Sequence, residues 1–122
     1  MGKVILIVED EEKNLRLAHD LLQLEGYTIL EARNGREGID IAEEKGPDLI
    51  LMDIQMPVMD GIEATKIIKN GEKTKGIPVI ALTSYAMPGD EERICGAGCD
   101  GYITKPIDFH EFFEIVEKHM KE

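Results

Sequence analysis

An α/β fold built on one parallel sheet is predicted by three features of the sequence. Strand-like and helix-like segments alternate from one end of the chain to the other, as crossover-connected parallel strands do. Several of the strand-like runs are apolar at every position, which suits strands covered on both faces. The 122 residues suffice for one layered core but not for two independent ones, so a single domain spanning residues 1–122 is expected.

The strands are expected at Val4–Val8, Thr28–Glu31, Leu49–Met52, Val79–Leu82 and Tyr102–Thr104. The first helix, about Glu12 to Glu25, carries Leu15, Ala18, Leu21 and Leu22 at helical spacing. It stops at Gly26, which can take the left-handed conformation that ends a helix. Three later helices are announced by a capping side chain followed three positions on by Glu: Asn34 with Glu37, Asp60 with Glu63, and Asp108 with Glu111. The last of these stacks Phe109, Phe112, Phe113, Val116 and Met120 on one stripe. A further helix, about Gly89 to Ala97, has little apolar content beyond Ile94 and Ala97, which marks it as weakly anchored.

Composition narrows the function classes. Aspartate and glutamate outnumber lysine and arginine by 25 to 14, a formal charge of −11, so nucleic-acid phosphates are repelled and direct nucleic-acid binding is not expected. No apolar run approaches the roughly 20 residues needed to cross a bilayer, and the apolar start, Val4 to Val8, is too short for a signal peptide. A cytoplasmic protein without membrane insertion is expected. Cys95 and Cys99 stand in C-x₃-C spacing, which fits neither a redox pair nor a zinc knuckle, so packing is their expected role. His19, His110 and His119 fall at helix positions away from the strand ends, where surface or packing roles are expected.

Chemistry collects at the carboxyl ends of the strands, where open parallel sheets bind their ligands. The first strand ends in Glu9-Asp10, the third in Asp53, the fourth in Thr83-Ser84 and the fifth in Lys105-Pro106. Three carboxylates brought together cannot all stay ionised cheaply unless cations intervene, and a divalent metal with Lys105 would supply that neutralisation. Carboxylates, a backbone oxygen and room for water suit Mg²⁺. A metal beside a carboxylate nucleophile, with Lys and hydroxyl donors at hand, points to phosphoryl transfer.

Five segments in order carry a resemblance over essentially the whole chain: Ile7-Val8-Glu9-Asp10-Glu11, Asp48 to Pro57, Met59-Asp60-Gly61, Ala81-Leu82-Thr83-Ser84, and Tyr102-Ile103-Thr104-Lys105-Pro106. On these the sequence resembles the receiver domain of response regulators, the CheY-like switches of two-component systems. Asp20-Leu21-Leu22, the stretch from Gly89 to Ile94 and the Gly98-Cys99 that follows look most like single-domain regulators and the receivers of hybrid histidine kinases.

The resemblance implies a flavodoxin-like, doubly wound (βα)₅ fold with strand order 2-1-3-4-5. It implies that Asp53 is the phosphoacceptor, and that Asp10, Asp53 and the Gln55 backbone carbonyl bind Mg²⁺ with Glu9 assisting through water. Lys105 would pair with the phosphoryl group, the Thr83 hydroxyl and Ser84 amide would close on its oxygens, and Tyr102 would turn inward as the aromatic switch. A cis bond before Pro106 is implied too. The expected donor is a histidine kinase or a histidine phosphotransfer protein, and the expected output is a downstream protein effector. Gln55 and Tyr85 vary in the family and bear on the lifetime of the phosphorylated state. Such a domain is a signalling switch that catalyses its own phosphorylation and dephosphorylation.

Three other readings are weaker. A flavin phosphate needs a small-residue loop after the first strand, and Glu9 to Glu12 would repel it. A small Mg²⁺-dependent aspartyl-nucleophile phosphohydrolase resembles an Asp-x-Asp pattern, but Gln55 fills the second position. A receiver-like pure binding module would not need the intact set of Asp10, Asp53, Thr83 and Lys105.

Overall fold

In the computed structural model, residues 3–54, 61–83, 92, 96–104 and 108–120 are described. The strands are β1 (Val4–Val8), β2 (Thr28–Ala32), β3 (Leu49–Asp53), β4 (Val79–Thr83) and β5 (Gly101–Thr104). The helices are α1 (Glu12–Leu24), α2 (Gly35–Lys45), α3 (Gly61–Asn70) and the C-terminal α4 (Phe109–Met120). In the stretch expected to form a helix near Gly89 to Ala97, Glu92, Gly96 and Ala97 are helical and the remaining positions lie outside the described residues.

All neighbouring strands pair in parallel, in the order β2-β1-β3-β4-β5. Because side chains alternate across a strand, each strand feeds both faces. Ile5, Ile7, Leu49, Leu51, Ile80 and Leu82 pack with Leu15, Leu22, Phe112 and Val116 on the α1 and α4 side. Leu6, Val8, Ile50, Met52 and Val79 pack with Ile39, Ala42, Ala64 and Ile68 on the α2 and α3 side. Two-sided burial is the reason β1, β3 and β4 read as unbroken apolar runs.

The helix boundaries follow from named bonds. At the end of α1, Gly26 has φ of 92° and donates to Gln23, while the Tyr27 amide donates to Leu22, so two carbonyls of the last turn are satisfied. Asn34 caps α2 by accepting from the Glu37 amide at 2.9 Å, and Glu37 in return accepts from the Arg33 amide at 3.1 Å. Asp108 caps α4 by accepting from the Glu111 amide at 3.1 Å. The expected cap at Asp60 lies outside the described residues.

Two polar ties fix the far end of the sheet. The Asp48 carboxylate accepts from the Val4 amide at 2.8 Å, and its own amide donates to the Val4 carbonyl. Lys69, near the end of α3, donates to the Ile77 carbonyl at 2.7 Å and to Asp100 at 2.8 Å. The same Asp100 oxygen accepts from the Val79 amide at 2.9 Å, so α3 is bound to the starts of β4 and β5. Among the described residues no helix is long and apolar enough to cross a membrane.

Phe112 is the largest fully buried side chain among the described residues, so Phe112→Ala should lower stability by about 3–5 kcal/mol, read as a fall in the urea midpoint; a loss below about 1 kcal/mol would show that α4 contributes little to the core. Tyr27 gives a pH-dependent expectation. Burial pushes its phenol up from 10.0, and the charges of Glu117 and Glu25 add to the rise. A group raised on folding contributes stability below its unfolded value and loses it as pH rises through the folded one. Tyr27→Phe should therefore flatten the decline in stability above about pH 10, measured by urea unfolding across that range.

Candidate metal and phosphoryl site

The site is built where β1 and β3, neighbours at the centre of the sheet, come to their carboxyl ends. The β1–β3 register runs to Val8 opposite Met52, so the residues that follow, Glu9 and Asp53, emerge side by side. The Glu9 amide continues the ladder by donating to the Ala32 carbonyl at 3.0 Å, which fixes the chain as it leaves β1. One carboxylate oxygen from each of Glu9, Asp10 and Asp53 lies within 4.8 Å of the other two. Glu9 and Asp53 are 1% and 2% exposed, while Asp10 is open to solvent. The Glu9 carboxylate also accepts from the Glu11 amide at 3.2 Å, which holds the start of the loop.

These three side chains are the acidic set expected from the sequence, and the fold brings them together. Hard oxygen donors, two of them buried, with the third facing water, form a set that suits a divalent cation. Thr83, fully buried, ends β4 at the same edge, one position past Leu82, the partner of Asp53 in the β3–β4 register. Tyr102, half-buried on β5 and the register partner of Ala81, packs against the small cluster formed by Ala81 and Ile54, the residue directly after Asp53. Gln55, Ser84 and Lys105 lie outside the described residues, as do Met56, Met59, Tyr85, Cys95 and the peptide bond before Pro106.

The histidines stand away from this edge. His19 pairs with Glu31 at 2.6 Å, His119 lies between the carbonyls of Ile115 and Asp100, and His110 is exposed on α4. Cys99 is a partly buried thiol that donates to the Thr65 hydroxyl at 3.9 Å and packs on the cluster of Ile54 and Ala81.

One rim feature was not read from the sequence. Arg33, the first residue after β2, forms an ion pair with Glu12, the first residue of α1. Their hydrogen bond, with the charge of Arg33 behind it, holds the Glu12 carboxyl below its ordinary range, and the same bond raises the Arg33 guanidinium. The loop that carries Asp10 is thereby tied to the end of β2. The only sequence signal was a lone arginine beside an acidic rim, and its partner lies 21 positions away.

The response regulator receiver domain model matches residues 5–117. The polar-differentiation response regulator DivK of Brucella anthropi is 48% identical over 120 residues, covering 98% of both chains. Among solved structures, the receiver domain of the sensor histidine kinase PA1611 from Pseudomonas aeruginosa, with a magnesium ion coordinated in its active site cleft, has a TM-score of 0.92 and 35% identity over 98% of each chain. The receiver domain of Saccharomyces cerevisiae Ssk1, crystallised with the histidine phosphotransfer protein Ypd1, has a TM-score of 0.89 and 32% identity over 96% of this chain and 88% of that one. With a family match over nearly all of its length and an acidic cluster at the edge where such sheets bind ligands, the chain belongs to the response regulator receiver domain family, the signalling switches of two-component systems.

Proposed function

We propose that this receiver takes a phosphoryl group onto Asp53 from the phosphohistidine of a histidine kinase or histidine phosphotransfer protein, in the cytoplasm and with Mg²⁺. The observation that carries the reading is the Glu9, Asp10 and Asp53 cluster, with Asp53 buried at the end of a central strand. The magnesium in the Pseudomonas aeruginosa receiver and the phosphotransfer partner of the yeast one support it.

Asp10, Asp53 and the Gln55 carbonyl would hold Mg²⁺, with Glu9 contributing through water. Bound there, the ion supplies positive charge against the carboxylates and the phosphoryl oxygens. An Asp53 carboxylate oxygen forms a bond to phosphorus while the bond from phosphorus to the donor imidazole nitrogen breaks, and that nitrogen leaves with the bonding pair. Burial of Asp53 keeps competing water from its carboxylate. Lys105 pairs with the phosphoryl group, and the Thr83 hydroxyl and Ser84 amide donate to its oxygens. Drawing Thr83 inward opens space for Tyr102, which alters the face formed by β5 and α4 that a downstream protein effector reads. Hydrolysis of the acyl phosphate at the same site resets the switch, so the domain catalyses both steps.

Intact mass after incubation with acetyl phosphate should rise by one phosphoryl group only when Mg²⁺ is present. Asp53→Asn should abolish that gain with the circular dichroism spectrum unchanged, because the amide keeps the shape but is a poor nucleophile; labelling of the variant at an undiminished level would refute the assignment. Mg²⁺ with beryllofluoride, standing in for the phosphoryl group, should perturb amides around Thr83–Ile94 and Gly101–Pro106 more than those of α1 in an NMR titration. Changes confined to Glu9–Glu12 and Asp53–Met56 would mean that the metal site works and the switch does not.

A further inference from the structure

We infer that Gly61 is a positioning residue for Asp53: it lets the first turn of α3 rest directly on the Asp53–Ile54 peptide, and this contact sets where the Asp53 carboxylate stands relative to Glu9 and Asp10. The inference rests on Asp53 being the phosphoacceptor. A Cβ at position 61 would collide with the Asp53 carbonyl oxygen and lie 2.5 Å from the Ile54 Cα and 2.9 Å from the Asp53 carbonyl carbon. All three are main-chain atoms, which cannot rotate out of the way as a side chain can. Gly38 offers the contrast, since its Cβ would meet the Val8 side chain at 2.8 Å.

Gly61 is the first residue of a right-handed helix, and the positive-φ glycines among the described residues are Gly26, Gly46 and Gly98. What it provides is room. The Gly61 amide donates to the Ile54 carbonyl at 3.3 Å, so the contact is bonded as well as close.

The strain of a side chain at 61 would fall on Asp53, not on the helix. α3 is fixed by Ala64 and Ile68, both fully buried against the sheet, and by the bonds of Lys69 to Ile77 and Asp100. β3 is fixed through Met52 by registers with both β1 and β4, but the β1 register stops there. Asp53 and Ile54 continue on the β4 side alone, with the Ile54 amide donating to the Leu82 carbonyl at 3.2 Å. The last rung of β3 is the part that can yield, and it carries the carboxylate.

The test compares Gly61→Ala with Ile68→Val, a variant of the same helix that loses packing without touching the Asp53 peptide. Both are assayed for urea stability, for labelling rate by acetyl phosphate at saturating Mg²⁺, and for the amide shifts of Asp53 and Ile54. Gly61→Ala should slow labelling by roughly tenfold to a hundredfold, as expected for an ångström-scale misplacement of a reacting group, and should shift those two amides. Ile68→Val should label at the wild-type rate. Equal labelling rates in the two variants would overturn the inference, whatever their stabilities. If Gly61→Ala does not fold in buffer, the assay is repeated in trimethylamine N-oxide, which strengthens burial; failure to fold there also overturns it, because Gly61 would then act on folding and not on placement. Wild-type protein that takes no label removes the phosphoacceptor reading itself, whereas a labelled wild type with an unaffected Gly61→Ala removes the positioning role alone.

Discussion

Glu9 and Asp53 are carboxylates almost wholly removed from water, with a third, Asp10, close enough that oxygens from all three fall within 4.8 Å. Burying a charge is costly and burying like charges together is more so, because repulsion grows as the effective dielectric falls. The arrangement is stable only as part of a larger set that brings positive charge to it. The fold answers this constraint by placing the acids on its two best-supported strands. β1 and β3 sit in the middle of the sheet, and apolar residues from Ile5 to Val8 and from Leu49 to Met52 are completely buried. A local cost of charge is carried by a core whose apolar burial is continuous on both faces.

From that edge, packing leads outward along two tracks. Ile54, next to Asp53, shares a cluster with Ala81 and Tyr102, which links the acidic edge to β5. α3 starts on the Asp53–Ile54 peptide and carries Lys69 in its last turn, whose bond to Asp100 reaches the residue just before β5. Packed cores change between discrete arrangements more readily than they deform continuously, so a small movement at Asp53 has a defined destination. On the proposed function, the size of the response is limited. Couplings between sites are typically about 1–3 kcal/mol, and reversing an equilibrium from almost all inactive to almost all active takes about 5.5 kcal/mol. A receiver driven by one phosphoryl group then retains some active form when unphosphorylated, and a partner that prefers the active face completes the shift.

Much of this was legible from residue order alone because a parallel α/β sheet gathers its strand ends on one edge. Once β1, β3 and β4 are recognised as apolar runs, Glu9, Asp10, Asp53 and Thr83 are placed without further information. The strand limits differ by a residue from those read in the sequence: β2 runs on to Ala32, β3 to Asp53, β4 to Thr83, and β5 begins at Gly101. Those extra positions are defined by pairing with neighbours, as when Asp53 joins Leu82 in the ladder, and no local pattern encodes them. The Glu12–Arg33 pair and the bonds of Lys69 to Asp100 were invisible for the same reason, since each joins elements distant in sequence. Gly61 could be seen as part of a motif, but the need for space against a main-chain carbonyl exists only after α3 has docked.

The acidity of the chain works at two ranges that must be kept apart. Most of the formal charge of −11 belongs to solvated side chains, and at physiological salt such charges are screened over about 8 Å, so at a distance they serve mainly to repel polyanions and to keep the protein soluble. The cluster at Glu9, Asp10 and Asp53 is different, because two of its members are shielded from mobile ions by the same burial that raises their repulsion. Dissolved salt cannot neutralise it from outside. On the proposed function an incoming phosphoryl group, itself an anion, would add to this charge at the last few ångströms, where a cation seated among the carboxylates or a lysine reaching into the edge would offset it. On that reading the case for a bound divalent ion rests on where the acids are buried, not on how many the sequence contains.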